Sequence, residues 1–212
     1  MNETDNLKLA EILCSRICHD LIGPVSAINN GLEFLDPNEG DLFQNSLEIV
    51  HTSAQQAIQR LTFFRLVLGA RTNSQAFALD DVCSALSSYL NEHRIDLERP
   101  SEDPDSGIAF PRNSAKALMF SVLLALDCLP RGGVIRILSH DWTSMDGMSI
   151  YAKGDRCLLR EDVRSGLDRT RELQDITVRN VFAYMAATFV NSLQKELKIE
   201  EISENEIEFS VI

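Results

Sequence analysis

His19 and Asp20 stand side by side in the stretch His19-Asp20-Leu21-Ile22-Gly23-Pro24-Val25-Ser26-Ala27-Ile28. A neutral imidazole nitrogen is a good nucleophile near pH 7, and an adjoining carboxylate can hold the ring tautomer or take a displaced proton. Asp20 also has a plainer reading, an ion pair with Arg16 four residues back. Both readings stand at this point. At about 100° per residue, His19 points away from the apolar stripe of its helix, with Ile12, Ser15, Ile22, Ser26 and Asn30 near the same outer face. Position alone fits a solvated surface histidine best. Two features shift the balance. Pro24 sits inside a long helical pattern, where it removes one backbone bond and crowds the carbonyl of Asp20, and local strain collects near working sites. The small residues Gly23, Ser26 and Ala27 leave room around the imidazole for another protein to approach.

The elements that must position this pair are legible in the spacing. Asp36-Pro37-Asn38-Glu39-Gly40-Asp41 breaks two long helical patterns, and Asp41 can cap the second. So short a break implies an antiparallel helical hairpin. In the second helix Phe43, Val50, Ala57 and Phe64 repeat every seven residues, as do Leu47, Ala54, Leu61 and Leu68. The first helix carries Leu13, Ile17, Leu21, Val25, Ile28, Leu32 and Leu35. One hairpin cannot enclose that surface. Two hairpins from two chains can, which predicts a four-helix bundle in a homodimer; the alternative is a hairpin docked on the rest of its own chain.

Beyond Gly69 the pattern changes, and the domains are expected at 1–71 and 72–212. Gln75–Leu79 alternates like a short strand, and Asp80 or Asp81 opens a helix to about Asn91. A polar loop, Pro100–Gly107, precedes a helix over Ser114–Leu129, which Pro130 ends. Strands follow at Val134–Leu138 and Met148–Ala152, then a helix at about Asp175–Lys195, then strands Leu197–Ile202 and Glu206–Ile212. The expected fold class is α+β, a hairpin followed by an α/β sandwich with helices covering one face of a mixed sheet.

The bulk numbers exclude several classes. A net charge of -12 over 212 residues argues against a nucleic-acid or anionic-membrane partner. The N-terminus is polar and acidic, unlike a secretory signal, and the longest apolar stretch, Ala117–Leu126, is far short of a bilayer span. Cys14, Cys18, Cys83, Cys128 and Cys157 are scattered, so free thiols and a cytoplasmic location are expected rather than zinc. His51, His93 and His140 have no motif around them and read as structural or solvated.

The string His19-Asp20-Leu21-x-x-Pro24 resembles the phosphoacceptor box of the dimerisation and histidine-phosphotransfer domains of bacterial sensor kinases. With an α/β half behind it, the resemblance covers nearly the whole chain. It implies that His19 is a phosphoacceptor protruding from a dimeric bundle, with Asp20 orienting its ring or serving as base. A kinase of that family also needs nucleotide-binding boxes. The asparagine-bearing helix would fall on Phe120–Asp127, which has no asparagine. The adenine-recognising Asp-x-Gly-x-Gly turn would fall near Tyr151-Ala152-Lys153-Gly154-Asp155, where Ala152 replaces the leading aspartate and the second glycine is absent. The glycine-rich phosphate loop would fall on Thr177–Phe182, which contains no glycine, and side chains there keep backbone donors from phosphates.

A phosphotransfer hairpin joined to a degenerate kinase-like domain, with the turn Leu129-Pro130-Arg131-Gly132-Gly133, resembles the ChpT-like histidine phosphotransferases. That resemblance implies a relay between the receiver domain of a hybrid histidine kinase and the receiver of a response regulator. It implies no cofactor of the chain's own, magnesium belonging to the receiver's acidic pocket. Ile12, Ile22 and Phe63 are then candidates for apolar contact with receivers, beside Ser15, Gly23 and Ser26. Arg16 either attracts the receiver's acidic rim or phosphate, or pairs with Asp20. An autophosphorylating kinase with an atypical ATP site and a non-catalytic receiver-binding adaptor are the alternatives.

Overall fold

The computed structural model describes residues 3–37, 40–69, 76–99, 109–168 and 173–212. Helix α1 (Glu3–Glu33) and helix α2 (Gly40–Leu68) form the hairpin. They pack closely at Gly31, where an added Cβ would lie 2.7 Å from Val50 and 3.3 Å from the Ser46 carbonyl. Only glycine fits there. The expected domain boundary, between 71 and 72, lies outside the described residues.

The remainder is built from β1 (Phe77–Ala78), α3 (Leu79–Asn91), β2 (Ile95–Glu98), β3 (Ala109–Phe110), α4 (Arg112–Asp127), β4 (Gly133–Leu138), β5 (Met148–Lys153), α5 (Glu161–Ser165), α6 (Val181–Ser192), β6 (Leu197–Ser203) and β7 (Glu206–Val211). Five strands form one mixed sheet in the order β2-β4-β5-β7-β6, parallel between β2 and β4 and antiparallel elsewhere. One face of β4, β5 and β7 alternates into the core, and the other carries Arg136, Tyr151, Lys153 and Glu208. Helix α4 is buried at every position from Ser114 to Ala125. A helix buried all round needs cover on both sides, and the sheet and α6 supply it.

The α+β class holds, with differences in detail. The strands β2 and β3 and the short helix α5 were not expected from the sequence. The helix expected at Asp175–Lys195 begins only at Val181. The Asn180 Oδ1 accepts the Thr177 amide at 2.7 Å, and its Nδ2 donates to Ser165 at 3.3 Å, so this stretch is a tied turn rather than helix.

Of the two expectations for the hairpin, the alternative, docking on its own chain, is seen at one end. Phe63, Phe64 and Val67 are buried in the core of the α/β half, and Leu9, Ile12, Leu13 and Ile17 pack against it. One end of the hairpin thus docks on its own chain. Phe63 must therefore be corrected as a receiver contact: it is 1% exposed, and its ring stacks on Tyr89 at 4.4 Å between centroids. Ile12 is partly buried against the same core. On the outward faces Leu7, Val25, Leu32, Leu47, Ile58 and Leu61 remain at least 39% exposed. Among the described residues no helix is long and apolar enough to cross a membrane.

Candidate functional site

Helix α1 runs unbroken through Pro24. Proline there supplies no N–H for the Asp20 carbonyl, its partner one turn earlier. Arg60 of α2 takes the vacant place: its Nη1 donates to that carbonyl, and its Nε donates to Glu92, at the end of α3, at 2.8 Å. The helix therefore keeps its course because a side chain replaces the missing donor.

One turn before Pro24, the His19 side chain is 76% exposed and its Nδ1 lies 3.1 Å from Asp20 Oδ1. Asp20 itself is only 13% exposed, and its Oδ2 accepts from Arg16 Nε at 3.0 Å. Both readings of Asp20 hold together, one on each oxygen. A carboxylate paired to arginine offers only acceptors, so the imidazole must donate from Nδ1, which leaves the Nε2 lone pair for nucleophilic attack.

Arg16 does not point to solvent. Its Nη1 donates to the Val178 carbonyl at 3.2 Å, its Nη2 lies 3.6 Å from Asp127 Oδ1, and its guanidinium sits 4.5 Å from the centre of the Phe182 ring. Arg16 is corrected as a direct attractor of a receiver's acidic rim, because these partners already hold it. Burial works against its charge, but Asp127 and then Asp20 outweigh burial and hold the guanidinium above its ordinary value. Burial pushes the Asp127 carboxyl up, with Arg16 and Arg160 opposing.

These groups line a cleft of about 570 Å³ formed by Ser15, Arg16, His19, Asp127, Arg160, Val178 and Arg179. Arg160 and Arg179 each approach Asp162, at 3.3 and 3.8 Å. On the helix surface near His19, Ile22 is 65% exposed, and Ser15, Gly23 and Ser26 are exposed. A Cβ on Gly23 would meet nothing within 4 Å, so the surface there is open. His51 and His140 are exposed and stand apart from this cluster. Sequence reasoning missed Arg60, Glu92 and Arg160, and it named Asp127, Val178, Arg179 and Phe182 only in stretches read for what they lack. Among the described residues no three His, Cys, Asp or Glu side chains are grouped to hold a metal ion.

His93 closes the far side of the Arg60 cluster, its ring 5.3 Å from that of Tyr89. Burial, then Arg60 and Arg16, hold its imidazole below the ordinary 6.5, with Asp20 pulling the other way. As pH falls the unfolded chain therefore takes up this proton first. The stability is complete above pH 6.5 and is lost as pH falls through the lower folded value. Urea midpoints taken at about pH 8 and about pH 5 are expected to separate less in His93→Gln than in the wild type. Equal separations would show that His93 does not titrate this way.

The molecule is a helical hairpin presenting an outward histidine beside a carboxylate, joined to a mixed sheet covered by helices on one face. The chain belongs to the histidine phosphotransferase family, whose C-terminal domain model matches residues 79–205. Protein phosphotransferase ChpT of Brucella abortus (strain 2308) is 35% identical over 133 residues, 62% of this chain and 60% of that protein. The match thus spans about three-fifths of the curated relative's length. A solved bacterial phosphotransferase is 26% identical with a TM-score of 0.79, covering 97% of this chain and 96% of that one. The histidine kinase AdeS of Acinetobacter baumannii is 15% identical with a TM-score of 0.41, covering 91% and 96%.

Proposed function

We propose that His19 carries a phosphoryl group through a bacterial multistep phosphorelay, taking it from the receiver domain of a hybrid histidine kinase and passing it to the receiver of a response regulator. The single observation that carries this reading is the His19–Asp20 pair, with Nδ1 engaged and the ring exposed. In the accepting step Nε2 attacks the phosphorus of an aspartyl phosphate. The N–P bond forms, the acyl O–P bond breaks, and the aspartate leaves as carboxylate. The ring's positive charge is relieved through the Nδ1 proton, which Asp20 is placed to share. Delivery is the same sequence reversed on a second aspartate, with magnesium held by each receiver.

The chain works without ATP in this reading. The stretch where a kinase would keep its phosphate loop is filled by the Thr177–Asn180 turn, and Asp127 ends the segment Phe120–Asp127 of α4, which has no asparagine. The exposed apolar residues of α1 and α2 support a homodimeric four-helix bundle, and the net charge of -12 supports a cytoplasmic chain whose partners are neither nucleic acid nor anionic membrane. Sedimentation is expected to give twice the chain's mass, and Leu61→Glu is expected to halve it; a monomeric wild type would remove the bundle from the proposal. Incubation with labelled ATP alone is expected to leave the chain unlabelled, whereas a phosphorylated receiver labels it. Label from ATP alone would make the chain a kinase. No label from a receiver that binds it would make it an adaptor.

A further inference from the structure

Asp20 is held from two directions by arginines that belong to one network reaching the α/β half. Arg16 grips its carboxylate while binding Asp127 at the end of α4, the Val178 carbonyl and the face of Phe182 in α6. Arg60 grips its carbonyl while binding Glu92 at the end of α3. Glu92 and Asp127 are themselves largely buried, and burial raises both carboxyls against the pull of their arginines. Removing one partner of such a buried pair leaves the other charge uncompensated, which is strongly destabilising.

We infer that Arg16 is a positioning residue for phosphoryl transfer: it fixes Asp20 so that His19 stays in the tautomer with a free Nε2, and the α/β half acts as the clamp that fixes Arg16. This rests on the reading of His19 as acceptor. Asp20 has two oxygens and a rotatable side chain. With Oδ2 tied to Arg16, Oδ1 is left facing Nδ1 at 3.1 Å. With Oδ2 released, the carboxylate can turn to Arg60 or to water, and the ring is no longer biased toward the Nδ1-protonated form. Three of Arg16's partners, Asp127, Val178 and Phe182, lie in the two stretches where nucleotide boxes would otherwise stand. These two segments thus hold the helix that carries His19 through Arg16. Arginine suits the task because a planar fork reaches several acceptors at fixed angles, while an ammonium is a single point of charge.

A double-mutant cycle on the full chain tests this. Phosphoryl uptake from a phosphorylated receiver is timed for the wild type, Arg16→Lys, Asp20→Asn and the pair. The nitrogen-15 shifts of the His19 ring are read in each unphosphorylated chain. Arg16→Lys is expected to slow uptake about 10-fold, within the loss that small misplacement of a reacting group brings, and to move the ring toward mixed tautomers. The pair is expected to be no slower than Asp20→Asn alone, because Arg16 acts only through Asp20. Losses that multiply, with the tautomer of the Arg16→Lys chain unmoved, would overturn the inference and leave Arg16 a purely structural tie. If Arg16→Lys unfolds, Phe182→Leu removes the stacked face and its ring contact with Phe120 but leaves Arg16's polar partners in place, and an unmoved tautomer there overturns the clamp. If the wild type takes up no label, or His19→Gln still does, the relay reading fails, and the ring shifts still decide the clamp separately.

Discussion

His19→Gln is expected to reduce phosphoryl uptake from a phosphorylated receiver to background while leaving the fold intact. Glutamine offers an amide in place of the imidazole lone pair, and no other histidine lies in the cleft. The substitution costs little structurally because the His19 side chain is mostly solvated and is hydrogen-bonded to the adjacent Asp20. Thermal stability is expected to stay within about 0.5 kcal/mol of the wild type, as for other surface changes. Loss of activity with an unchanged melting curve is therefore the expected pairing. A variant that retains uptake would move the acceptor elsewhere.

Asp20→Asn has the next largest effect. The amide can present an N–H to Nδ1, which favours the tautomer protonated at Nε2 and blocks the attacking nitrogen. It also removes the acceptor of the Nδ1 proton as positive charge develops on the ring. Uptake is expected to fall about 10²- to 10⁴-fold, the range for loss of a positioned acid–base group. Folding also suffers, because Arg16 is left with Asp127 and the Val178 carbonyl as its polar partners. The rate loss is to be read in stopped time courses on chain whose circular dichroism matches the wild type. A fall of less than about threefold would leave Asp20 as Arg16's surface partner and nothing more.

How much of this was legible in the sequence depends on range. The hairpin, the outward histidine and the last strands all rest on local periodicity, and they appear where the spacing puts them. The facing of α2 did not follow from its heptads, because the repeat shows a stripe without saying what covers each part of it. Phe63 illustrates the limit. Its spacing places it beside the seam, but only the docking of α2 on Tyr89 buries it. Arg16 illustrates another. The Asp20 pair lies four residues away and could be proposed, whereas Asp127, Val178 and Phe182 are more than a hundred residues distant. Arg60 had a readable trace: Pro24 leaves the Asp20 carbonyl without its helical donor, and a part-buried carbonyl calls for a replacement. The helix expected from Asp175 failed for a chemical reason, since Asn180 binds the turn before it through its side chain and so favours a break.

The central claim is that His19 receives its phosphate from another protein's aspartate. It is tested most directly by mixing the wild-type chain, without ATP, with a receiver already labelled on its aspartate, and following both proteins through quenched time points. The prediction is that label leaves the receiver and appears on the chain in equal amount, in an acid-labile, alkali-stable bond that maps to His19. A receiver known to bind the chain that nonetheless keeps its label, or label mapped to any residue other than His19, would contradict it.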